Sequence, residues 1–203
     1  MAWDTARTQQ LLLDAAVEEF AESGPDGARI ARVATRAGVN KERIYQYFGN
    51  KEQLFSAVLA SELGKLAEAV PLGGSEQGLD LGDYAGRVFD YHSANPHFSR
   101  LLAWEGLQRG TVSGELAAGE LAAGPERTAH YGEKVAAVAA AQQAGELADE
   151  VDPGRLMFAV IGLVNAWFTL PQMVRLLLSG TTDPATDREA VVTLVRRLTK
   201  PVT

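Results

Sequence analysis

The chain has 203 residues, 46% apolar and 22% charged, a balance that suits a folded globular protein and excludes a disordered one. It contains no cysteine, which excludes disulfides, thiolate metal sites and cysteine nucleophiles. Its net charge of −7 argues against a surface coated all over in nucleic acid.

The opening segment, MAWDTARTQQLLLDAA, lacks the basic start and long apolar run of a signal peptide, so a cytoplasmic location is expected. Leu13, Ala16, Val17 and Phe20 recur at helical spacing and predict a first helix over residues 5–22. The cluster Ser23-Gly24-Pro25-Asp26-Gly27 ends it. A second helix is expected to begin at Asp26 or Gly27. Ile30, Val33, Ala34 and Ala37 mark its apolar face and Arg29, Arg32 and Arg36 another, before Gly38 stops it. Asn40 suits the N-cap of a third, short helix over 41–48, and Gly49-Asn50 breaks the chain again. A fourth helix follows over about 51–70, with Leu54, Phe55, Val58, Leu59 and Leu63 as its buried stripe.

Residues 71–82, PLGGSEQGLDLG, form the clearest loop. Helices are expected beyond it near 81–94, 96–109, 125–144, 153–179 and 187–199. Pro96, Pro125 and Pro153 suit first helical turns, and Pro171 should kink or divide the 153–179 segment. The pentapeptide GELAA occurs twice between residues 114 and 123, which reflects alanine-rich composition rather than a solenoid. LMFAVIGLVNAWFTL, residues 156–170, contains Asn165 and falls short of the roughly 20 apolar residues a membrane span needs, so a buried helix is expected there. Strand signals are missing. The fold class is all-α: a three-helix N-terminal domain over 1–52, then a larger helical domain over 53–203.

Charge is unevenly spread. Residues 28–51 hold Arg29, Arg32, Arg36, Lys41, Arg43 and Lys51 against the single acid Glu42, a local charge of +5. The residues from Glu52 onward hold 12 bases and 19 acids. A basic patch on an acidic body suits local contact with a polyanion, although most charge runs are plain solvated surface. The second helix, the Ala37-Gly38-Val39 turn and the third helix make a helix-turn-helix pattern, whose second helix fits the major groove of B-DNA. Lys41 and Arg43 would sit at its N-terminal end, where cationic donors suit phosphates or guanine acceptors. The amides that Asn40 leaves open add a positive dipole end. Tyr45 and Tyr47 can donate to phosphates, and Lys51 would reach the backbone beside the groove. Tyr47 divides between core and phosphate contact, Phe48 belongs to the core, and Arg36 is either a surface ion-pair residue or a DNA contact. Glu42 either points away from the duplex or accepts from a cytosine.

From residue 7 to 58, RTQQLLLDAAVEEFAESGPDGARIARVATRAGVNKERIYQYFGNKEQLFSAV resembles the N-terminal domain of the tetracycline-repressor (TetR) family. The likeness rests on the LDAA…F helix, the SGPDG link, the AGV turn, the Y-x-YF recognition helix and the N-K-E-x-L-F continuation. Two positions depart from it: Ala28 stands where a hydroxyl residue is usual and Glu42 where a small one is usual. The resemblance implies a homodimeric transcriptional regulator, usually a repressor, released from a palindromic DNA operator by a small molecule. The expected DNA-binding residues are Arg29, Asn40, Lys41, Arg43, Tyr45, Tyr47 and Lys51, and the expected dimer interface is 153–179 with 187–199.

In the second half Tyr91, His97, Phe98, Trp104, Tyr131, Trp167 and Phe168 are the candidates for a small-molecule site, against the alternative that these aromatics are plain core. His92, His97 and His130 have poor metal spacing, no Gly-rich phosphate loop occurs, and no nucleophile, base and orienter set stands out. No metal, no cofactor and no enzymatic activity are expected. The rival readings are an all-helical enzyme or carrier with no DNA role, and a helical adaptor binding protein through 156–170.

Overall fold

Leu12, Ala16 and Phe20 repeat every four residues, and α1 (Ala2–Gly27) forms around that stripe with all three buried. The computed structural model describes residues 2–73, 78–109, 124–178 and 183–201. The doubled GELAA segment, the middle of the 71–82 loop and residue 179 lie outside the described residues. The described helices continue with α2 (Ile30–Ala37), α3 (Lys41–Phe48), α4 (Lys51–Ala69), α5 (Leu81–Ala94), α6 (Pro96–Arg109), α7 (Gly124–Gln143), α8 (Pro153–Thr169), α9 (Pro171–Leu177) and α10 (Pro184–Thr199). No strand occurs among the described residues, and the fold is all-α. The chain divides into two compact units, residues 1–65 with 97–127 and residues 66–96 with 128–203.

In the first unit one core gathers Leu12, Ala16 and Phe20 from α1, Val33 and Ala34 from α2, Ile44 from α3, Leu54, Phe55 and Val58 from α4 and Leu101 from α6. Phe20 meets Phe55 edge to face at 5.2 Å between ring centres. At Gly24 the helix breaks, with φ 67° and ψ 169°, and the ring of Trp104 closes over the break. A β-carbon at Gly24 would lie 2.9 Å from Trp104 Cε2, so both the backbone angle and the indole demand glycine.

The second helix starts later than the sequence predicts. Residues 25–27 remain a turn of α1, Arg29 is extended at φ −117° and ψ 119°, and α2 begins at Ile30. The reason is a long-range acceptor: Glu19 on α1 takes the Arg29 amide at 2.8 Å and holds that residue out of helical geometry.

In the second unit, α5 buries Leu81, Tyr84, Ala85, Val88, Phe89 and His92 against Val191 and Val195 of α10 and Val160 and Val164 of α8. Arg188 Nε donates to both carboxylate oxygens of Asp90, and Arg196 donates from Nε and Nη2 to Asp80, which ties α10 to the N-cap and the second half of α5. Asp80, Asp152 and Asp183 each cap the helix that follows by accepting from a backbone amide in its first turn. Pro171 divides the 153–179 segment, and the two helices on either side of it bend by 85°. Among the described residues no single helix is long and apolar enough to cross a membrane.

The helix expected over 156–170 forms, and the single chain covers one face of it. Leu156, Met157, Val160 and Val164 of α8 are buried, but Phe158 on another face is 78% exposed. Periodicity in an apolar helix does not tell a face covered by its own chain from one left open.

Candidate nucleic-acid interface

The turn between α2 and α3 closes as a Schellman motif. Gly38, at φ 65° and ψ 27°, donates its amide to Thr35 O at 3.2 Å, and Val39 donates to Ala34 O at 3.0 Å. Val39 and Ala34 also meet in the core, so the hydrogen bonds and the apolar contact specify one turn. Asn40 then caps α3 through a bond from the Glu42 amide to its Oδ1, and Ile44, fully buried, anchors α3 against α2. Phe48 is partly buried on the same core. Asn50 repeats the device for α4 by accepting from the Gln53 amide at 2.8 Å.

These anchors leave Lys41, Glu42, Arg43, Tyr45 and Gln46 exposed, with Tyr45 at 50%. Arg43 Nη1 donates to the Tyr47 hydroxyl at 2.9 Å, and its guanidinium lies 6.0 Å from the centre of the Tyr47 ring. The Tyr47 ring packs on the core, and its hydroxyl faces outward and accepts from Arg43. Lys51 donates from Nζ to the Asp26 carbonyl at 3.1 Å, which places it at the link ahead of α2.

The six bases of the patch fall into two groups. Arg36 pairs with Glu18 and Glu22, and Arg32 with Glu19, so both are spent on α1. Arg29, Lys41, Arg43 and Lys51 form no ion pair among the described residues. Glu19 is the organising group that sequence reasoning missed. It is buried and collects the Arg29 amide and the Arg32 guanidinium. Burial pushes its carboxyl up, but the Arg32 hydrogen bond, the Arg29 amide and the charges of Arg32 and Arg36 outweigh that and hold it below the ordinary value. A carboxylate between Ala16 and Phe20 on an apolar stripe was the available signal. Ala28, the first departure from the family pattern, is buried in the core.

The small-molecule candidates separate between the units. His97, Phe98 and Trp104 belong to the first: His97 Nε2 donates to the buried Glu62 carboxylate at 2.8 Å, Phe98 is fully buried, and Trp104 covers Gly24. Tyr91, Tyr131, Trp167 and Phe168 belong to the second. There Phe89 brings Trp167 and Phe168 together at 6.4 and 4.9 Å, and His92 stacks on Phe168 at 5.2 Å. Tyr91 packs on the same core, and Tyr131 lies beside His130 on α7. Burial pushes His92 down to about 4, so its imidazole is neutral at physiological pH. The Trp167 indole N–H is buried with no partner among the described residues. Lys134, buried on α7, donates to the Tyr84 hydroxyl at 2.9 Å. Among the described residues no three His, Asp or Glu side chains form a metal-binding group.

Two family models match. One, described as bacterial regulatory proteins of the tetR family, covers residues 12–58, and one described as the tetracyclin repressor-like C-terminal domain covers residues 80–197. The chain is 39% identical over 199 residues to the HTH-type transcriptional repressor SCO4008 of Streptomyces coelicolor, covering 97% of each chain. It is 36% identical over 109 residues to the repressor NicS of Pseudomonas putida, covering 51% of this chain and 50% of NicS. Among solved structures, the Streptomyces coelicolor protein SCO4942 superposes with a TM-score of 0.77 at 32% identity, covering 95% of this chain and 98% of that one. The Bacillus subtilis regulator FadR, solved with stearoyl-CoA, shares the fold with a TM-score of 0.68 at 19% identity, covering 92% and 96%.

Proposed function

The chain belongs to the TetR family of DNA-binding transcriptional regulators, and we propose that it is a homodimeric repressor that leaves a palindromic operator when a small molecule binds its C-terminal half. The observation that carries the DNA half is the outward surface of α3. Lys41, Arg43 and Tyr45 project from a helix fixed by Ile44 and the Gly38 turn, with no acid on the protein neutralising the two cations among the described residues. Arg29, Asn40, Tyr47 and Lys51 complete the set. Asn40 contributes through the amides it leaves open at the start of α3, and Lys51 through its position at the link before α2.

We assign DNA binding to residues 1–52 and regulation with dimerisation to 53–203. The exposed apolar residues of α8 and α10, Phe158, Leu194 and Leu198, support an isologous interface through 153–179 and 187–199. The Phe89, Trp167 and Phe168 rings, with Tyr91 and Tyr131 on the same unit, support the effector site. The unpartnered Trp167 N–H supports it further, because an acceptor on a ligand would relieve a buried donor that otherwise costs about 1–3 kcal/mol. The link to DNA is α4, which starts beside α3 and continues past the division at residue 65. An effector releases DNA to the extent that it prefers the arrangement of α4 that misplaces α3. A cytoplasmic location and the absence of catalysis go with this reading.

The test is a gel-shift assay on the duplex upstream of the protein's own gene. The wild type should retard it at low salt, with affinity falling steeply as salt is added. The Lys41→Ala, Arg43→Ala, Tyr45→Ala triple variant should not bind yet should melt as the wild type does. A wild type that leaves this duplex unshifted at low salt sinks the proposal.

A further inference from the structure

Successive residues of α3 turn by about 100°, and Ile44, fully buried, marks its inward direction. On that wheel Lys41 and Tyr47 lie about 60° from Ile44 and Arg43 and Tyr45 about 100°. Glu42 and Gln46 both lie about 160° away, further from the core than any other side chain on the helix. Both are exposed, and neither side chain makes a hydrogen bond among the described residues, the Glu42 contact with Asn40 being through its backbone amide. The flanking residues are of another kind. Lys41, Arg43, Tyr45 and Tyr47 stand along the two sides of the helix and carry cationic or hydroxyl donors, and Arg43 is tied to Tyr47.

A helix seated in a major groove turns its flanks to the two phosphate walls and its outermost ridge to the base edges. We propose that Glu42 and Gln46 are the residues that read the operator, while Lys41, Arg43, Tyr45 and Tyr47 mainly position the helix. The inference rests on the DNA-binding reading above and adds its specificity. Chemistry supports the division. Glu42 is the one acid among the bases of the patch, and a carboxylate gains nothing from phosphate. In the groove its acceptor oxygens match the N4 amino group of cytosine, and against any other edge the charge is desolvated without a donor. Gln46 carries a donor and an acceptor, the pair that adenine N7 and N6 match. Four residues of helix rise about 6 Å, close to two base steps of 3.4 Å. Each half-site should therefore hold a C·G pair and an A·T pair about two steps apart.

Glu42 also has a second consequence, of opposite sign. On a basic surface it weakens attraction to every duplex, so its removal should raise affinity for arbitrary DNA while erasing one base preference.

The experiment is selection from a randomised duplex pool with the full-length wild type and with Glu42→Ala and Gln46→Ala, all checked by thermal melting. The wild type should enrich the two spaced pairs. Glu42→Ala should lose only the C·G preference, reducing discrimination there roughly five- to 150-fold, and should bind unselected duplex at least as tightly as the wild type. Gln46→Ala should lose only the A·T preference. If both variants return the wild-type consensus, with Glu42→Ala binding all sequences more tightly by one common factor, Glu42 is a solvated charge and the inference is overturned. A wild type that enriches no sequence overturns the DNA-binding reading itself, a different result from an unchanged consensus.

Discussion

Glu19 Oε1 on α1 accepts from Arg32 Nε on α2 at 2.8 Å, and the same oxygen takes the Arg29 amide that opens α2. One carboxylate thus sets the angle between α1 and α2 and the residue at which α2 starts. It also keeps Arg32 away from an outside anion.

Acid stability should report this contact. The folded value of Glu19 lies below its ordinary 4.5, so the carboxylate stabilises the fold in full above about that pH. The contribution fades as pH falls from there through the lower folded value, because the unfolded chain binds the proton first. Glu19→Gln should lower stability near neutrality by about 1–3 kcal/mol, since Arg32 is half-exposed and partly compensated by water. It should also flatten the decline between pH 5 and 3. Urea melts across that range measure both, and an unchanged acid slope would remove Glu19 from its organising role.

Gly24 and Gly38 both take positive φ, yet their substitution should have unequal effects. At Gly38 a β-carbon meets nothing within 4 Å, so Gly38→Ala carries only the backbone penalty of about 1 kcal/mol. At Gly24 the backbone, φ 67° and ψ 169°, lies in a region essentially confined to glycine and the Trp104 ring stands at 2.9 Å, so Gly24→Ala should destabilise more. The double variant Gly24→Ala, Trp104→Leu should lose less than the two single changes added together. Additive losses in denaturant melts would mean that the ring does not press on position 24.

How much of this could be read in advance depended on the range of the interactions involved. The bounds of α3 are legible because Asn40 and Gly49 bracket it with local chemistry, and Pro171 divides its segment for the same reason. The start of α2 is not legible, because the acceptor that sets it, Glu19, lies ten residues back on another helix. The face of α8 that stays open is equally hidden, since Phe158 and Val160 look alike in an apolar run. On α3 the charged and aromatic residues draw attention, while Gln46 is uncharged and shows its importance only through its position opposite Ile44.

Lys134 should shape stability on the alkaline side. Burial pushes its amine down to about 8 from 10.5, with the nearby Arg87 charge adding to the effect. Between those values the unfolded chain holds a proton that the folded chain has released, so stability should rise with pH from about 8 towards 10. Above 10 the trend reverses, because burial raises Tyr84, which keeps its proton in the fold after the unfolded chain has lost it. Lys134→Met should abolish the rise between pH 8 and 10. The slope is the readout, because this variant also leaves the Tyr84 hydroxyl without its lysine partner. Stability curves that keep the same slope in the variant would show that the amine does not titrate in this window.

Phe158 offers the cleanest separation of assembly from folding. Its ring is 78% exposed, so Phe158→Glu removes little that holds the single chain together. In a twofold interface, however, two copies of the ring are covered, each contributing about 1.5–3 kcal/mol, and the variant would place two like charges there instead. The variant should therefore sediment as a monomer and retain the helical content of the wild type. A monomer carries one recognition helix, so it should bind a full palindrome no better than an isolated half-site. The wild type should prefer the palindrome by about 100-fold or more, because the second contact is made within one complex. Measuring both duplexes with both proteins closes the argument. If the variant is monomeric and keeps the palindrome preference, symmetry is not the source of operator affinity. If it remains a dimer, the interface does not run through this face of α8.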